Sequence, residues 1–491
     1  MVENFDELQR GLGPVLSLNR PDVETPHVLV VLPSFSIGES LLCHYEDRIP
    51  ALEHRFLLAM LIMQRIRSCE IIFLSGTAPD RDVLDHYLSL CSPELRADIS
   101  ARFHPITVPG PRSRPIAAKL LARPDILDQI GELIAGRPAF IEPWNVTQHE
   151  VDVALRLGVP INGTHPHLWP LGFKSSCRKL FRAAGVPLPD GEEDVRSIDG
   201  AVAAIQNLRA RRPASVGAVV KLDDSGAGDG NVVIRYQGPD GSGPLRPRIA
   251  GLPAWYLKDL KNGAVVEELV VGERFTSPSV QVDITPDGTA NILSTHEQVL
   301  GGDAGQVYTG CRFPADPSYA PELATYGRMV GEELARQGVL GRIAVDFAVA
   351  SSRTGHASVN ALEINLRKGG TTHPYSVLRN LVPGRYDAEA GAWIADADGK
   401  PRWYRATDNL VDLAWLGVPP GDVIAAVDSA GLTFDASRGS GVVLHMLSAL
   451  AIDGRFGLTA IGRTSEEAED LYEQAARAVP RRDRDLTAST V

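Results

Sequence analysis

Short apolar runs alternate with amphipathic stretches through the first third of the chain. His27–Leu32, Glu70–Leu74 and Val159–Asn162 are short apolar runs typical of buried strands. Apolar residues recur at helical spacing in the stretches around them, which are Ala51–Arg67, Asp80–Ser92, Ile116–Leu121, Pro124–Ile134 and Gln148–Leu157. Strands that alternate with helices predict a mostly parallel, Rossmann-like sheet covered on both faces. No GxGxxG motif follows the first strand, so we do not expect this layer to hold a dinucleotide.

After Leu171 the apolar runs follow one another more closely, with fewer helices between them. The predicted strands are Gly217–Leu222, Val232–Tyr236, Ala264–Val271, Ser279–Thr285, Ala290–Val299, Ala344–Val349, Ala361–Leu366, Gly441–Ala451 and Gly457–Ile461. The predicted helices are Ser175–Ala184, Ile198–Arg211, Tyr319–Gln337, Asp422–Ala430 and Glu466–Val479. Arg385–Arg405 is rich in turn residues and is predicted to be irregular. The pattern predicts an α/β region followed by α+β regions.

The composition is that of a globular protein. The 491 residues are 44% hydrophobic and 22% charged. A net charge of −12 argues against a general nucleic-acid-binding protein, which needs a basic face. The acidic start has no hydrophobic signal core, and no apolar run reaches roughly 18 residues. Five scattered cysteines without a CxxC pair fit a reducing compartment. We therefore expect a cytoplasmic protein without a membrane segment.

Three oxygen donors occur on two neighbouring predicted strands. Glu363 and Asn365 are two residues apart, so they share one face of their strand, and a hairpin-like pairing brings Asp346 beside them. Carboxylate and amide oxygens together with phosphate suit Mg²⁺. Arg367 follows with the same parity and presents a planar fork for a phosphate or acyl phosphate. The alternative is an ordinary sheet with charges on its solvent face.

A glycine-rich loop lies between two predicted strands at Asp223–Asn231. Its glycines let backbone N–H groups approach phosphate oxygens closely. A strand rather than a helix follows the loop, which excludes the dinucleotide motif and the P-loop and favours a flap over a nucleotide. A plain glycine-rich hairpin is the alternative. Lys174 at a helix start is a further hint of a phosphate, because a cation is disfavoured there by the helix dipole.

Two further groups of polar residues are candidates for a functional site. Glu267 and Glu268 lie within an apolar strand, where carboxylates need partners, and Glu268 could accept hydrogen bonds from an adenine amino group and a ribose hydroxyl. His165 and His167 form an HxH pair without further nearby ligands, which favours loop packing over a metal site.

The chain resembles the ATP-grasp ligases from about Lys174 to His373. The residues that carry the resemblance are, in order, Lys174, Lys221, Glu267, Glu268, Leu269, Val270, Asp346, Glu363 and Asn365. The resemblance implies ATP as cosubstrate and Mg²⁺, with Mn²⁺ as an alternative ion, held by Asp346, Glu363 and Asn365. It implies ATP binding by Lys174, Lys221, Ser225, Gly226, Gly228, Gly230, Asn231, Glu267, Glu268, Leu269, Val270 and Glu273. Many relatives keep an arginine two residues before the metal aspartate, but Ala344 stands there. Arg342 and Arg367 are both left as candidates for the transferred phosphate, with Lys221 as the third catalytic cation.

A narrower resemblance covers most of the chain. KLDDSGAGDGN, FTSPSVQ, EINLRKGGTTHP and GVVLHML are similar to segments of the pheganomycin-type peptide ligases. The resemblance implies a Rossmann-like pre-ATP-grasp domain over 1–168, an ATP-grasp core of two α+β subdomains over 169–384 and a C-terminal α/β extension over 385–491. It allows a homodimer.

The implied activity is ATP-dependent amide bond formation through an acyl phosphate, in natural-product biosynthesis. The expected partners are a small amino-acid-like carboxylate and an amine or peptide, with no nucleic acid and no membrane. The substrate candidates are His296, Glu297, Gly369, Gly370, Thr371 and His373, of which His296, Glu297 and His373 are candidates for the base that deprotonates the amine. Acyl transfer to a different nucleophile, carboxylation, or a non-catalytic nucleotide-binding module are the alternatives.

Overall fold

The N-terminal part of the chain is built on a four-stranded parallel sheet. The computed structural model describes residues 2–36, 42, 45–225, 230–236, 244–301, 307–351 and 357–481. The strands lie in the order β3-β2-β1-β4, where β1 is His27–Leu32, β2 is Cys69–Ser75, β3 is Phe103–Thr107 and β4 is Ala139–Pro143. The helices of this part are α1 (Val2–Gln9), α2 (Leu12–Leu18), α3 (Ile49–His54), α4 (Ile62–Arg65), α5 (Arg81–Ser89), α6 (Arg96–Ala101), α7 (Ile116–Leu121), α8 (Pro124–Ile134) and α9 (Gln148–Leu157).

Both faces of β1 are buried, as a strand inside such a sheet requires. Val28 and Val30 pack in one apolar cluster with Ile116, while Leu29 and Val31 pack in another. The predicted parallel sheet is confirmed. The continuous helix predicted over Ala51–Arg67 is wrong, because a 3₁₀ segment, Arg55–Leu61, separates α3 from α4.

A second, antiparallel sheet follows and forms one wall of the cleft described below. Its order is β5-β8-β6-β7, with β5 Gly191–Glu192, β6 Gly217–Leu222, β7 Asn231–Arg235 and β8 Ala264–Glu268. The helices of this part are α10 (Lys174–Ala184), α11 (Ile198–Arg211), α12 (Leu245–Ala250) and α13 (Ala254–Asp259).

The third sheet has eleven strands and carries the opposite wall. Eight of them lie in the order β14-β13-β10-β11-β12-β17-β16-β15, while β9 pairs with β13 and β19 joins β17 to β18. The first strands are β9 (Arg274–Thr276), β10 (Pro278–Ile284), β11 (Ala290–Gly301), β12 (Val307–Phe313), β13 (Gly341–Ser351) and β14 (Ser358–Asn365). The helix α14 (Ala320–Arg336) packs on β10 and β11.

The last part of the chain extends the same sheet. It contributes α15 (Thr372–Leu381), β15 (Gly384–Asp387), β16 (Ala392–Ala395), β17 (Pro401–Val411), α16 (Pro420–Ser429), β18 (Gly441–His445), α17 (Leu450–Asp453), β19 (Arg455–Gly462) and α18 (Ser465–Ala478). Because β17 pairs with β12, the sheet runs through the boundary predicted at 384/385. The division into three domains stays a prediction.

Two predictions about this region are wrong. Arg385–Arg405 is not irregular: β15, β16 and the start of β17 form an antiparallel meander, and the turn residues Gly391 and Gly399 have positive φ, which glycine tolerates. The strand predicted over Gly441–Ala451 ends at His445, because Met446 takes a left-handed conformation and a 3₁₀ turn follows.

The first and last parts of the chain share one apolar core. Leu57 and Tyr87 lie in the same buried cluster as Leu444 and Phe456. The imidazole of His86 also accepts a hydrogen bond from the Leu444 backbone N–H. The N-terminal sheet is therefore held against the large sheet. No helix within the part of the chain that the structure describes is long and apolar enough to span a membrane.

Candidate active site

Asp346 and Glu363 face each other across β13 and β14. They are register partners, and Asn365 donates from its amide to both, at 3.0 Å to Asp346 and 3.4 Å to Glu363. Burial and the neighbouring Glu363 carboxylate raise the pKa of Asp346 well above its usual range. Two carboxylates that repel each other, with an amide oxygen beside them, are a donor set that a hard cation stabilises. The structure therefore brings together the three predicted metal ligands.

One member of this cluster carries no signal in the sequence. Gln298 on β11 donates to Asp346 at 2.8 Å. Its side chain reaches Asp346 across β10, which lies between β11 and β13 in the sheet. No spacing within the sequence indicates this contact.

Lys174 links the two walls of the cleft. It begins α10, and its Nζ lies 3.6 Å from the Glu363 carboxylate and donates to the Ser225 carbonyl at 2.8 Å. Burial alone would raise the pKa of Glu363, but the charges of Lys174 and Lys221 overcome it and lower that pKa. Glu363 is thus held as an anion between the two predicted phosphate-binding lysines.

Lys221 is paired with Glu267 on the next strand. Its Nζ lies 2.5 Å from one carboxylate oxygen of Glu267, and Arg178 on α10 binds the other oxygen at 2.7 Å. Glu267 is 2% exposed, and two cations compensate its burial. Arg178 was not among the predicted site residues, although it lies one helical turn after Lys174.

Glu268 does not lie on this face. Successive residues of a strand point to opposite sides, so Glu268 points away from Lys221 and instead pairs with Arg212 at 3.1 Å. The interpretation of Glu268 as the adenosine acceptor is therefore not supported by its position. Alternation gives the parity of residues along a strand but not which face of the strand is inside.

Those of the remaining predicted ATP-binding residues that the structure describes lie on or next to the strands β6, β7, β8 and β9. Ser225 holds Lys174, and Asn231 is the register partner of Lys221. The Gly230 carbonyl accepts from the Leu222 N–H. Leu269 and Val270 follow β8 and are half-buried, whereas Glu273 is exposed. Gly226 and Gly228 lie outside the described residues.

The two candidate arginines occupy different places. Arg367 lies over the Trp144 ring at 5.1 Å, and its charge acts on both Asp346 and Glu363. Arg342 lies on β13 opposite Asp283 and lines a cavity of about 790 Å³ between the N-terminal sheet and the large sheet. Its Nε is buried without a hydrogen-bond partner among the described residues. Arg367 is therefore beside the metal ligands, and Arg342 is in the cavity.

The cavity walls carry both signs of charge. Its lining includes Glu142, Asp283, Arg342, Lys368 and Arg379. Lys368 pairs with Glu142 at 2.8 Å, which ties the N-terminal sheet to the loop after β14. Such a lining suits a ligand that carries both an ammonium and a carboxylate group.

The predicted substrate residues fall into two groups. His373 and Gly369 line the cavity, while Gly370 lies against the Tyr308 ring and Thr371 accepts from Gln281 through its carbonyl. His296 and Glu297 do not line it. Burial lowers the pKa of His296 to about 3 and its ring bonds to Tyr404, and Glu297 accepts from Tyr319. The structure therefore does not bring these two residues to the cavity, and their roles stay predictions.

The chain is similar to known proteins in both sequence and structure. Residues 253–389 match the family model described as IQCH-like, ATP-grasp, and residues 422–475 match the PGM1 C-terminal domain. The L-propargylglycine–L-glutamate ligase of Streptantibioticus cattleyicolor is 31% identical over 490 residues, covering 96% of this chain and 98% of that protein. The chain belongs to the pheganomycin-type ATP-grasp ligases. The resemblance inferred from the sequence is confirmed.

Solved structures agree with the fold of an ATP-grasp ligase. Biotin carboxylase from Campylobacter jejuni, in complex with β-γ-ATP, superposes with a TM-score of 0.58 at 13% identity over 93% of this chain and 92% of that one. The biotin carboxylase domain of 2-oxoglutarate carboxylase from Hydrogenobacter thermophilus, with MgADP and bicarbonate, superposes with a TM-score of 0.54 at 13% identity over 91% and 89%. Together with the 31% identity to the Streptantibioticus ligase over nearly the whole chain, this makes the protein an ATP-dependent enzyme that forms carbon–nitrogen bonds.

Proposed function

We propose that this ligase joins an amino-acid-like carboxylate to the amine of an amino acid or peptide in natural-product biosynthesis. The γ-phosphate of ATP passes to the carboxylate and gives an acyl phosphate and ADP. The amine nitrogen then attacks the acyl carbon, phosphate leaves, and the nitrogen loses a proton. The observation that carries the proposal is the Asp346–Glu363–Asn365 cluster beside Lys174 and Arg367.

The donors present fit Mg²⁺ at this cluster, with Mn²⁺ as an alternative ion. Asp346 and Glu363 would supply carboxylate oxygens and Asn365 its amide oxygen. The raised pKa of Asp346 reflects burial and repulsion that a cation relieves. When bound, the ion neutralises charge on the phosphate groups.

The cations of the cleft bind and orient the anionic oxygens. The charges of Lys174 and Lys221 both act on Glu363, and ATP phosphates entering there would replace part of the present pairing with Ser225 and Glu267. Arg367 is placed to meet the transferred phosphate, since it is the candidate arginine whose charge acts on both metal-ligand carboxylates. Positioning of this kind is the main source of catalysis in phosphoryl transfer.

The cavity of about 790 Å³ would hold the two small-molecule substrates. Arg342, Lys368 and Arg379 suit carboxylates, while Glu142 and Asp283 suit an ammonium group. The name of the Streptantibioticus relative pairs two amino acids, which supports an amino acid on each side of the new bond here. A homodimer is part of the proposal, because the Hydrogenobacter domain is described as a dimer.

The test is an ADP-release screen of the purified enzyme with pooled amino acids and short peptides, followed by mass spectrometry. A product mass equal to acid plus amine minus water is expected. ADP formation without such a product would show that the acyl group passes elsewhere. No ADP from any pool, with folded protein and bound ATP, would overturn the proposal.

A further inference from the structure

Two histidines and an aspartate converge behind the cavity. Asp408 Oδ1 lies 2.8 Å from His373 Nε2 and 2.9 Å from His445 Nε2, and the two Nε2 atoms are 3.1 Å apart. Among the residues that the structure describes, this is the group of histidine, cysteine and acidic side chains whose ligand atoms all lie within 4.8 Å of one another. The mechanism proposed above does not use Asp408 or His445.

The backbone around the three residues is shaped to bring them together. Thr407 and Leu410 of β17 pair with Leu458 and Phe456 of β19, so Asp408 and Asn409 stand opposite a single residue, Gly457. Such a bulge re-aims the side chains of the bulged strand. A Cβ at Gly457 would overlap the His445 imidazole, so glycine is needed for the ring to occupy its place.

The distances match the edges of a metal-binding triangle. Ligands bound at about 2.0–2.1 Å in a tetrahedral zinc site lie roughly 3.3 Å from one another. The three edges here are slightly shorter, at 2.8, 2.9 and 3.1 Å. Without a metal, two imidazoles would have to direct both Nε2 atoms at the same oxygen while facing each other.

The surroundings fit a metal centre. Arg55 Nη1 binds the other oxygen of Asp408 at 2.6 Å and so holds Oδ1 towards the histidines. Nδ1 of each histidine is buried without a hydrogen-bond partner among the described residues. The tautomer is therefore not fixed from the Nδ1 side, so that each imidazole can present the lone pair of Nε2 to a metal ion.

We propose that His373, Asp408 and His445 form a binding site for a first-row divalent metal, with Zn²⁺ as the ion to test. Two imidazoles and one carboxylate are a ligand set of zinc sites that keep a fourth position open. His373 and Arg55 line the cavity, so this fourth position is supplied from the cavity side. With Zn²⁺ beside Arg55 the centre carries net positive charge, which favours a carboxylate as the fourth ligand.

The test measures metal rather than ligase activity, so its failure is distinct from a failure of the proposed function. Tag-free protein is equilibrated with Zn²⁺, desalted and analysed for metal content. We expect about one zinc per chain, and at least tenfold weaker zinc binding in His445→Gln and Asp408→Asn. His167→Gln is the matched control, since it removes an imidazole from the exposed His165–His167 pair, and should keep its zinc.

A measurement on the unsubstituted protein guards against variants that fail to fold. Co²⁺ bound by two histidines and an aspartate in tetrahedral geometry should give visible absorption that Zn²⁺ removes. Absence of this absorption, or equal zinc in the unsubstituted and His445→Gln proteins, would overturn the site and leave a hydrogen-bonded cluster. Loss of zinc in His167→Gln would assign the metal to the exposed pair instead.

Discussion

Lys221 and Glu267 form an ion pair of 2.5 Å in which the carboxylate is almost fully buried. The pair joins β6 to β8, and Arg178 on α10 binds the second oxygen of the same carboxylate. A lysine predicted to bind phosphate is therefore already oriented before any nucleotide enters. Glu267 contributes by positioning two cations.

Removing this carboxylate should destabilise the domain. Glu267→Gln removes the anion that pairs with Lys221 and leaves Arg178 with Glu193 alone, and we expect the free energy of unfolding to fall by about 3–5 kcal/mol. The adjacent Glu268→Gln is the matched control, because its partner Arg212 is largely exposed and such pairs contribute about 1 kcal/mol or less. Urea titration of both proteins checks the prediction. Equal losses in the free energy of unfolding of the two variants would mean that the buried ion pair contributes no more to stability than the exposed one.

Loss of the metal carboxylate should stop the reaction without unfolding the protein. Glu363→Ala is expected to lower ADP formation at least ~100-fold, since a carboxylate of the Mg²⁺ site is lost. Glu332→Gln, on the exposed surface of α14, should leave the rate unchanged. Steady-state kinetics and circular dichroism are the measurements. Retained turnover in a folded Glu363→Ala protein would refute the metal assignment.

The two arginines should differ in the kinetic constant that they control. Arg367→Ala should lower kcat, because this guanidinium lies among the carboxylates of the phosphate site. Arg342→Ala should mainly raise KM for a carboxylate substrate, because this side chain lines the cavity. Initial rates over a range of each substrate separate the two effects. The reverse pattern would place Arg342 at the transferred phosphate.

A buried glutamate far from the cleft should make stability depend on pH. Burial raises the pKa of Glu53 from 4.5 to about 7, against the opposing effects of the Gly76 N–H and Lys119. Folding thus favours the protonated form of Glu53. Its contribution to the free energy of unfolding is therefore full below pH 4.5 and is lost as the pH rises through about 7. Each unit of raised pKa corresponds to about 1.4 kcal/mol.

Glu53→Gln keeps an acceptor for Gly76 but cannot ionise. Its free energy of unfolding should therefore change less than that of the unsubstituted protein between about pH 5 and pH 8. Urea titrations across this range provide the comparison. Parallel pH profiles of the two proteins would show that another group is responsible.

The Asp346–Glu363–Asn365 cluster could be predicted from the sequence because its geometry is local. Two strands joined by a short turn region bring Asp346 opposite Glu363, and the alternation of side chains adds Asn365. Glu267 and Glu268 show the limit of that argument, since parity does not say which face is buried. That choice depends on α10, which brings Arg178 to the cleft face.

Contacts between distant segments could not be predicted. His296 looked like a base because it is a histidine near the expected pocket, but the Tyr404 hydroxyl that holds it comes from β17, 108 residues later. Asp408 carries no motif. Pairing among β17, β18 and β19 brings it to His445, and α15 brings His373 to the same place. The meander over Arg385–Arg405 was missed because its glycines mark hairpin turns rather than a loop.

The core shared by Leu57, Tyr87, Leu444 and Phe456 has a consequence for synthesis of the protein. The helical segments on one face of the N-terminal sheet pack against parts of the chain that leave the ribosome more than three hundred residues later. At about 5–20 residues per second, that apolar face waits on the order of tens of seconds for its cover. Production of the enzyme should therefore depend on chaperones that bind nascent chains.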